Sequence, residues 1–245
     1  MLEMNLPPAN GLFITGTDTG VGKTLVAGGI AKILNQAGFT VGVFKPVATG
    51  CKHHYEGLVS TDAEFLRYCS NCDFELSVIN PAGFVTPAAP VVCQEFERRY
   101  VDFAAIQTAY EQICEASDFV IVEGIGGVRV PISGDVDVLE LAKAFHLPVV
   151  IVARPYLGTI NHTLLTIDAI RGAGLDVAGV VISGYEAASA TYAEETGADV
   201  IAEYGQTEIL AIVPQDEESD VENCRLGDLA VDALTDCDWS RFAQQ

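Results

Sequence analysis

The clearest chemical pattern in the chain is a glycine-rich turn, residues Gly16–Thr24, with the sequence GTDTGVGKT. The turn follows the apolar run Leu12–Thr15 and precedes a helical pattern over Lys23–Ala37. Glycines let backbone N–H groups turn inward around a phosphate, and the N-terminus of the helix adds a partial positive charge. Lys23 can reach the β- and γ-phosphates of a nucleotide, and the Thr24 hydroxyl can ligate magnesium. The spacing therefore predicts a site for a nucleoside triphosphate.

Three further charged residues stand where they could extend this site. Glu123 directly follows the apolar run 119–122, and a carboxylate at a strand end beside a phosphate loop can hold magnesium, directly or through water. Lys45 ends the next apolar run of the chain after the phosphate loop and can supply a second positive charge for an anionic intermediate. Asp62 follows Ser60 and Thr61 at the start of a helical pattern. Taken singly, each also has an ordinary interpretation as a solvated strand-end acid, a surface lysine or an acid that complements a helix dipole.

The elements that must position these residues alternate along the chain. Strands are predicted at Leu12–Thr15, Thr40–Phe44, Asp118–Val122, Pro148–Ala153, Asp176–Ile182 and Glu208–Val213. Helices are predicted at Lys23–Ala37, Phe103–Glu115, Val138–Phe145, Thr159–Ala173 and Ala188–Glu195. Because the strands are apolar throughout, we expect them to be buried on both faces of a parallel sheet. The pattern predicts a doubly wound α/β fold of the P-loop NTPase type, with a mostly parallel sheet flanked by helices, as one domain over residues 1–245.

Composition excludes several classes of function. The chain has 245 residues, 49% of them apolar, and 34 acidic against 13 basic side chains give a net charge of −21. A field of that sign repels nucleic acid and anionic lipid, so neither is expected as a partner. No apolar run approaches the roughly 18 residues that a membrane span needs. The first residues lack the pattern of a secretory signal, so we expect a cytoplasmic protein without membrane contact.

The seven cysteines are expected to be reduced thiols, because no secretory signal places the chain in an oxidising compartment. A zinc-binding interaction module remains an alternative at this point. Cys69 and Cys72 have zinc-like spacing, and Cys51, His53 and His54 could supply further ligands. Ordinary buried or surface thiols are the favoured interpretation, because no second CxxC pair is present.

Five segments in register resemble the dethiobiotin synthetase family. They are Gly16–Thr24, Phe44–Gly50 (FKPVATG), Glu123–Gly127 (EGIGG), Leu157–His162 (LGTINH) and Ala173–Leu175 (AGL). A phosphate loop alone would match many unrelated NTPases, whereas five motifs in the same order and spacing are far more specific. The similarity extends over residues 11–182 and is thin beyond them.

The resemblance implies ATP-dependent closure of a cyclic urea in biotin biosynthesis. In that reaction 7,8-diaminopelargonic acid captures CO₂ as a carbamate, which attacks the γ-phosphate of ATP. The second amine then attacks the carbamic-phosphoric anhydride, so that dethiobiotin, ADP and phosphate are released. The alternative is another small P-loop ATPase or ligase of the same superfamily that acts on a different carboxylate or amine.

The resemblance also implies a role for each residue at a matching position. Lys45, Lys23 and Thr19 would be catalytic, and Thr24, Asp62 and Glu123 would hold Mg²⁺. The residues expected to bind ATP are Gly20, Val21, Gly22, Lys23, Thr24, Leu25, Asp62, Glu123, Gly124, Ile125, Gly126, Ser183, Gly184, Pro214, Gln215 and Asp216. The residues expected to bind the diamine are Thr49, Pro87, Gly158, Thr159, Ile160 and Asn161. In the family the contact around Gly158–Asn161 comes from the neighbouring subunit, so a homodimer is expected.

The chain departs from the family pattern at three places. Gly20 stands where some members carry glutamate, and Tyr156 stands where a lysine can occur. Ser183 and Gly184 replace an Asn-Asp pair that contacts adenine, so the base preference stays open. The adenine contact could instead come from residues 214–216 and backbone groups. The tail, residues 206–245, carries no readable functional pattern.

Three other P-loop classes lack their diagnostic features in this sequence. A regulatory GTPase needs an Asn-Lys-x-Asp motif, and no lysine here follows an asparagine. A partitioning ATPase carries an additional lysine early in its loop, and that position is Asp18. A P-loop ligase that amidates a large tetrapyrrole acid would normally bring a glutaminase domain, for which 245 residues leave no room.

Overall fold

The computed structural model describes residues 2, 4–55 and 57–243. Its central sheet has six strands: β1 Gly11–Gly16, β2 Val41–Phe44, β3 Phe119–Gly127, β4 Val149–Ala153, β5 Val177–Tyr185 and β6 Ile209–Pro214. The strand order is β6-β5-β4-β1-β3-β2, and every neighbouring pair is parallel. The predicted doubly wound α/β class is therefore confirmed.

Nine helices are described, and most of them cover the two faces of the sheet. They are α1 Lys23–Gln36, α2 Thr61–Ser70, α3 Leu76–Ile79, α4 Pro90–Glu97, α5 Phe103–Glu115, α6 Val138–Phe145, α7 Thr159–Gly172, α8 Tyr192–Gly205 and α9 Asp228–Leu234. A 3₁₀ helix follows at Trp239–Ala243. Short two-stranded pairs join Val47–Ala48 to Ala82–Gly83, Lys52–His54 to Gly57–Val59, and Pro131–Ser133 to Val136–Asp137. None of the helices in the described ranges is long and apolar enough to cross a membrane.

Most predicted elements have bounds within one residue of those expected, and three differ. Strand β5 extends to Tyr185, three residues beyond its predicted end at Ile182. The helix predicted at Ala188–Glu195 is wrong in position, because α8 begins at Tyr192 and continues to Gly205. Its start is set by a capping box in which Thr191 and Glu194 satisfy each other's backbone N–H groups. Strand β3 is longer than predicted, because Gly16 pairs with Gly127 after a register shift and keeps the strand extended.

The sheet is buried on both faces, as its apolar strands predict. All six residues of β1 are buried, and its three apolar side chains alternate between two hydrophobic clusters. Phe13 contributes to one cluster, while Leu12 and Ile14 contribute to the other. This alternation follows from the two-residue period of a strand, with a layer of helices on each side.

The C-terminal tail completes one of these clusters. Leu234, Trp239 and Phe242 are buried there with residues of α1. The indole N–H of Trp239 donates a 2.7 Å hydrogen bond to the Leu234 carbonyl, which satisfies its buried polar group. A side chain at Gly29 of α1 would approach within 2.3 Å of Leu234, so the tail packs directly on this helix. The tail therefore supports the helix that begins at the phosphate loop.

Candidate active site

The phosphate loop connects β1 to α1 and depends on two glycines with left-handed backbone. Gly20 has a φ of 72° and Gly22 a φ of 92°, values that residues with a Cβ rarely adopt. The buried Lys23 ammonium donates a 2.9 Å hydrogen bond to the Asp18 carbonyl. The Asp18 carboxylate accepts a 2.7 Å hydrogen bond from the Thr19 N–H and pairs with Arg154, which follows β4. These contacts fold the loop around the position of Lys23.

The second predicted cation, Lys45, lies beyond the end of β2 and is surrounded by oxygen atoms. Its Nζ donates to Glu123 Oε1 at 2.5 Å and to the Gly124 carbonyl at 3.1 Å, and it pairs with Asp62 Oδ2 at 2.9 Å. The Thr24 hydroxyl donates to the same Glu123 Oε1 at 2.9 Å. The three residues predicted to hold magnesium therefore meet Lys45, which is predicted to be catalytic, at one point.

Local structure fixes each member of this cluster. The side-chain amide of Asn80 donates a 2.6 Å hydrogen bond to the Lys45 carbonyl and holds the backbone after β2. Ser60 caps α2 by accepting from the Ala63 N–H at 3.4 Å, which places Asp62 in the first turn of the helix. Glu123 is within β3, which lies between β1, the strand before the phosphate loop, and β2, the strand before Lys45.

The charges of the cluster are strongly coupled. Burial and, to a smaller extent, the nearby Lys45 ammonium lower the pKa of Lys23 to about 8, and its acidic neighbours offset only part of this effect. Burial disfavours the charged form of Lys45 as well, but Asp62 and Glu123 outweigh it and raise the Lys45 pKa above its ordinary value. The same lysine lowers the pKa of Asp62. Burial raises the pKa of Glu123 despite the opposing effect of Lys45.

Two adjoining cavities open at the carboxyl ends of the strands. The first, about 300 Å³, is lined by Gly20, Val21, Gly22, Leu25, Arg154, Tyr156, Ser183, Gly184, Pro214, Gln215, Asp216, Ser219 and Val221. The second, about 360 Å³, is lined by Thr19, Gly20, Gly22, Lys23, Thr24, Leu25, Lys45, Thr49, Asp62, Glu123, Ile125, Gly126 and Val221. Four residues line both: Gly20, Gly22, Leu25 and Val221. The two cavities therefore form a continuous cleft along the glycine turn, and Lys23, Lys45, Asp62 and Glu123 all line its second part.

Nearly every residue predicted to bind ATP lines one of these cavities. Gly124 lines neither, but its carbonyl accepts the hydrogen bond from Lys45. Asp216 is buried, and its carboxylate accepts from the Ser219 hydroxyl at 2.8 Å and from the Glu218 N–H at 3.0 Å. Asp216 therefore shapes the loop after β6. The exposed amide of Gln215, in contrast, makes no side-chain hydrogen bond within the described residues.

The residues predicted to bind the diamine are not all brought to this cleft. Thr49 lines the second cavity, and Pro87 lies against Gly50, where a side chain would meet it at 3.6 Å. The segment Gly158–Asn161 begins α7 and lines neither cavity, with Gly158 at a φ of 98°. Within one subunit these residues therefore form no common pocket with Lys45.

Four residues that line the first cavity were not predicted as ligands: Arg154, Tyr156, Ser219 and Val221. Arg154 directly follows β4, so the rule that ligands gather at strand ends could have indicated it. Ser219 and Val221 belong to the loop after β6, and nothing local in their sequence marks them.

The zinc interpretation gains no further ligands from the structure. Cys69 is buried near the end of α2, and burial raises the pKa of its thiol to about 12. Among the residues that the structure describes, no group of three or more His, Cys, Asp or Glu side chains could hold a metal ion. All seven cysteines are free thiols.

Two solved structures with a similar fold contain a cell division protein. The MinD cell division protein of Aquifex aeolicus has a TM-score of 0.59 at 15% identity, covering 96% of each chain. The MinC:MinD complex of the same organism has a TM-score of 0.61 at 15% identity, covering 96% of this chain and 94% of the other. At this identity the likeness supports the P-loop NTPase-like fold and nothing finer.

Sequence comparisons are more specific. A family model described as "AAA domain" (AAA_26) matches residues 10–223. The ATP-dependent dethiobiotin synthetase BioD of Methanococcus vannielii is 39% identical, over 82% of this chain and 92% of its own length. The enzyme of the same name from Methanocaldococcus jannaschii is 38% identical, over 86% of this chain and 97% of its own length. The one from Bacillus subtilis strain 168 is 37% identical, over 84% of this chain and 87% of its own length. The chain therefore belongs to the ATP-dependent dethiobiotin synthetase family.

Proposed function

We propose that this chain is the ligase that forms dethiobiotin from 7,8-diaminopelargonic acid, CO₂ and ATP, with release of ADP and phosphate, as a step of biotin biosynthesis. The observation that carries the proposal is the convergence of Lys45, Glu123, Asp62 and Thr24 in the cavity that also contains Lys23. Family membership identifies the substrates, and the site has the charge distribution that their chemistry needs. The family relationship also disfavours a ligase for another carboxylate or amine.

The two cavities suggest how ATP lies in the site. The base would occupy the first cavity, beside Ser183 and Gln215, and the triphosphate would follow the glycine turn to Lys23 in the second cavity. Backbone N–H groups of the turn and the N-terminus of α1 would then surround the phosphates. In this orientation the γ-phosphate would lie near Lys45.

The residues of the second cavity also fit a magnesium ion. Mg²⁺ prefers oxygen ligands, and the cavity offers the Thr24 hydroxyl and the Asp62 and Glu123 carboxylates. The Thr24 hydroxyl contacts Glu123, and both carboxylates contact Lys45. Glu123 Oε1 and Asp62 Oδ2 already hold one cation, the Lys45 ammonium, at 2.5 and 2.9 Å, so the oxygen atoms of this cluster suit a positive charge. Bound there with the nucleotide, the ion would neutralise charge on the β- and γ-phosphates.

The reaction requires positioning and charge neutralisation, and no protein nucleophile. One amine adds to CO₂ and loses a proton to give a carbamate, and a carbamate oxygen attacks the γ-phosphorus as ADP leaves. The second amine then attacks the carbamate carbon, so that the ring closes, a proton is lost and phosphate leaves. Lys45 would donate to the carbamate and transferring phosphoryl oxygens, and Lys23 to the β- and γ-phosphates. Thr19 and Thr49, which line the cavity, would orient the reacting groups.

We further propose a homodimer for the diamine site. Gly158 and Asn161 are exposed at the N-terminus of α7, where backbone N–H groups can bind a carboxylate. The adjacent side chain of Leu157 is apolar and yet 90% exposed, as is typical of a residue that a partner covers. A second subunit that covers Leu157 would bring Gly158–Asn161 to the cleft of its partner. The whole chain, residues 1–245, would act as one cytoplasmic domain in such a dimer.

The proposal is tested by incubating the purified protein with diaminopelargonate, labelled bicarbonate, Mg²⁺ and each nucleoside triphosphate in turn. Labelled dethiobiotin should form only when all four components are present, and the rates should rank the bases. Omission of the diamine is the control for uncoupled ATP hydrolysis. Absence of the labelled cyclic urea under every condition would reject the assignment.

A further inference from the structure

We infer that Lys45 and Mg²⁺ compete for the same oxygen atoms, so that Lys45 stands in for the metal in the nucleotide-free protein and is released toward the substrate only when the metal binds. The inference rests on the magnesium site proposed above and concerns what the chain does before that site is filled. It gives Lys45 a positioning role in addition to its role in the reaction.

The contacts of Lys45 leave it no free hydrogen-bond donor. An ammonium group has three N–H donors, and Lys45 Nζ has three oxygen partners, Glu123 Oε1, Asp62 Oδ2 and the Gly124 carbonyl, at 2.5, 2.9 and 3.1 Å. The side chain is only 3% exposed. In this arrangement Lys45 therefore has no N–H group left to donate to a carbamate or a phosphoryl group.

The oxygen atoms that hold Lys45 are those that a metal would need. Thr24 donates its hydroxyl to Glu123 Oε1, the same atom that Lys45 contacts, so the ammonium lies among the three predicted ligands. Mg²⁺ binds oxygen at about 2.0–2.1 Å in a demanding octahedral arrangement. An ammonium at hydrogen-bond distance from two of its carboxylates would occupy part of that octahedron and would repel the ion electrostatically.

The other oxygen of Glu123 does not offer the metal a separate route. Glu123 Oε2 is inaccessible to solvent and has no hydrogen-bond partner among the described residues. A hydrated ion that enters from the cavity therefore meets the Oε1 side of the carboxylate, where Lys45 and Thr24 lie. Binding the metal then requires Lys45 to leave Glu123.

This competition predicts an order of events. Free Mg²⁺ binds the nucleotide-free protein weakly, because it must displace a well-coordinated ammonium. Mg²⁺ that arrives with a nucleotide brings phosphate oxygens as additional ligands, and these offset the displacement. The released Lys45 then faces the γ-phosphate and the carbamate, so its charge reaches the reacting atoms only when nucleotide and metal are both present.

The first test is titration of the nucleotide-free protein with Mg²⁺ by calorimetry. Lys45→Met, which keeps the length of the side chain without its charge, should bind Mg²⁺ at least about tenfold more tightly than the unmodified chain. Lys143→Met is the matched control, because it makes the same change in net charge on α6, where Lys143 pairs with Glu140 at 2.9 Å. The control should change the affinity by less than about twofold. Equal or weaker binding by Lys45→Met would overturn the inference.

A second measurement avoids the risk that Lys45→Met fails to fold. The chain contains five lysines, Lys23, Lys32, Lys45, Lys52 and Lys143, so ¹⁵N-lysine labelling gives a simple NMR spectrum of the ammonium groups. Mg²⁺ added to the complex with a non-hydrolysable ATP analogue should shift the Lys45 resonance and leave that of Lys143 unchanged. A Lys45 resonance that does not respond to the metal would refute the displacement.

The same experiments separate this inference from the proposed function. Mg²⁺ binding of equal strength in Lys45→Met and the unmodified chain would refute the competition and leave the metal site intact. Failure of every form to bind Mg²⁺, with or without nucleotide, would refute the metal site and the competition together.

Discussion

The lowered pKa of Lys23 predicts that the affinity for nucleotide depends on pH between about 7.5 and 9.5. In the free protein the Lys23 ammonium has a pKa of about 8, because it is buried and lies near Lys45. A bound triphosphate favours the charged form and must raise that pKa. Between the free and the bound pKa, nucleotide binding therefore takes up a proton, and the affinity falls as the pH rises.

The size of the effect follows from the free pKa. With a pKa of about 8, the charged fraction of Lys23 falls from about three quarters at pH 7.5 to a few per cent at pH 9.5. The Kd for ATP should rise about twentyfold over this interval, provided that the bound pKa lies above it. The second ionisation of a phosphate, near pH 6, does not interfere. Calorimetry at about pH 8.5 in buffers of different ionisation enthalpy should detect an uptake of about three quarters of a proton per nucleotide.

Lys23→Met is the control for this prediction. It should bind ATP weakly at every pH and show no proton uptake, because the titrating group is absent. Lys45 does not contribute to the profile, since its pKa is raised above the ordinary value. A Kd for the unmodified chain that is constant from pH 7.5 to 9.5 would refute the reasoning about Lys23.

Four further results are expected. Lys45→Ala should lower turnover, measured by product formation, at least about 100-fold. It should also lower the free energy of unfolding, measured by chemical denaturation, by about 3 kcal/mol, because Glu123 loses its buried partner. Gly28→Ala should cost about 1–3 kcal/mol of stability in the same denaturation assay, because its Cβ would lie 2.5 Å from the Phe65 ring. Molar KCl should raise the thermal unfolding temperature by screening the net charge of −21, and an unchanged or lower value would contradict this. Gln215→Glu should raise the ratio of GTP affinity to ATP affinity about tenfold, because a carboxylate accepts hydrogen bonds from the two adjacent N–H donors of guanine. The control is Gln112→Glu, which makes the same change at an exposed position of α5 and should leave the ratio unchanged.

Much of the site followed from simple rules about sequence. The phosphate loop was predicted because glycines, Lys23 and Thr24 are adjacent in the chain. Lys45 and Glu123 are 78 residues apart, yet each ends or interrupts an apolar strand, and the ends of parallel strands share one edge of the sheet. Their meeting could therefore be anticipated without coordinates.

Other features depend on contacts that no local pattern encodes. Val221 lines both cavities, but it belongs to a loop whose path is set by the buried Asp216 and its hydrogen bonds to residues 218 and 219. The start of α8 was misplaced because its capping box lies after a loop whose alanines also suit a helix. The place of the tail against α1 depends on the small size of Gly29, which a sequence pattern does not distinguish from other helical glycines.

The position of β3 between β1 and β2 has a consequence for how this enzyme can vary. Hydrogen-bonded neighbours in a sheet are about 4.8 Å apart, so the strands that lead to the two lysines are separated by about 10 Å. That distance is a property of the backbone ladder, and Glu123 lies on the strand in the middle. Changes in the surrounding loops, such as glycine at position 20 or serine at position 183, can therefore alter which nucleotide is recognised while the separation of the two strands that lead to the lysines stays fixed.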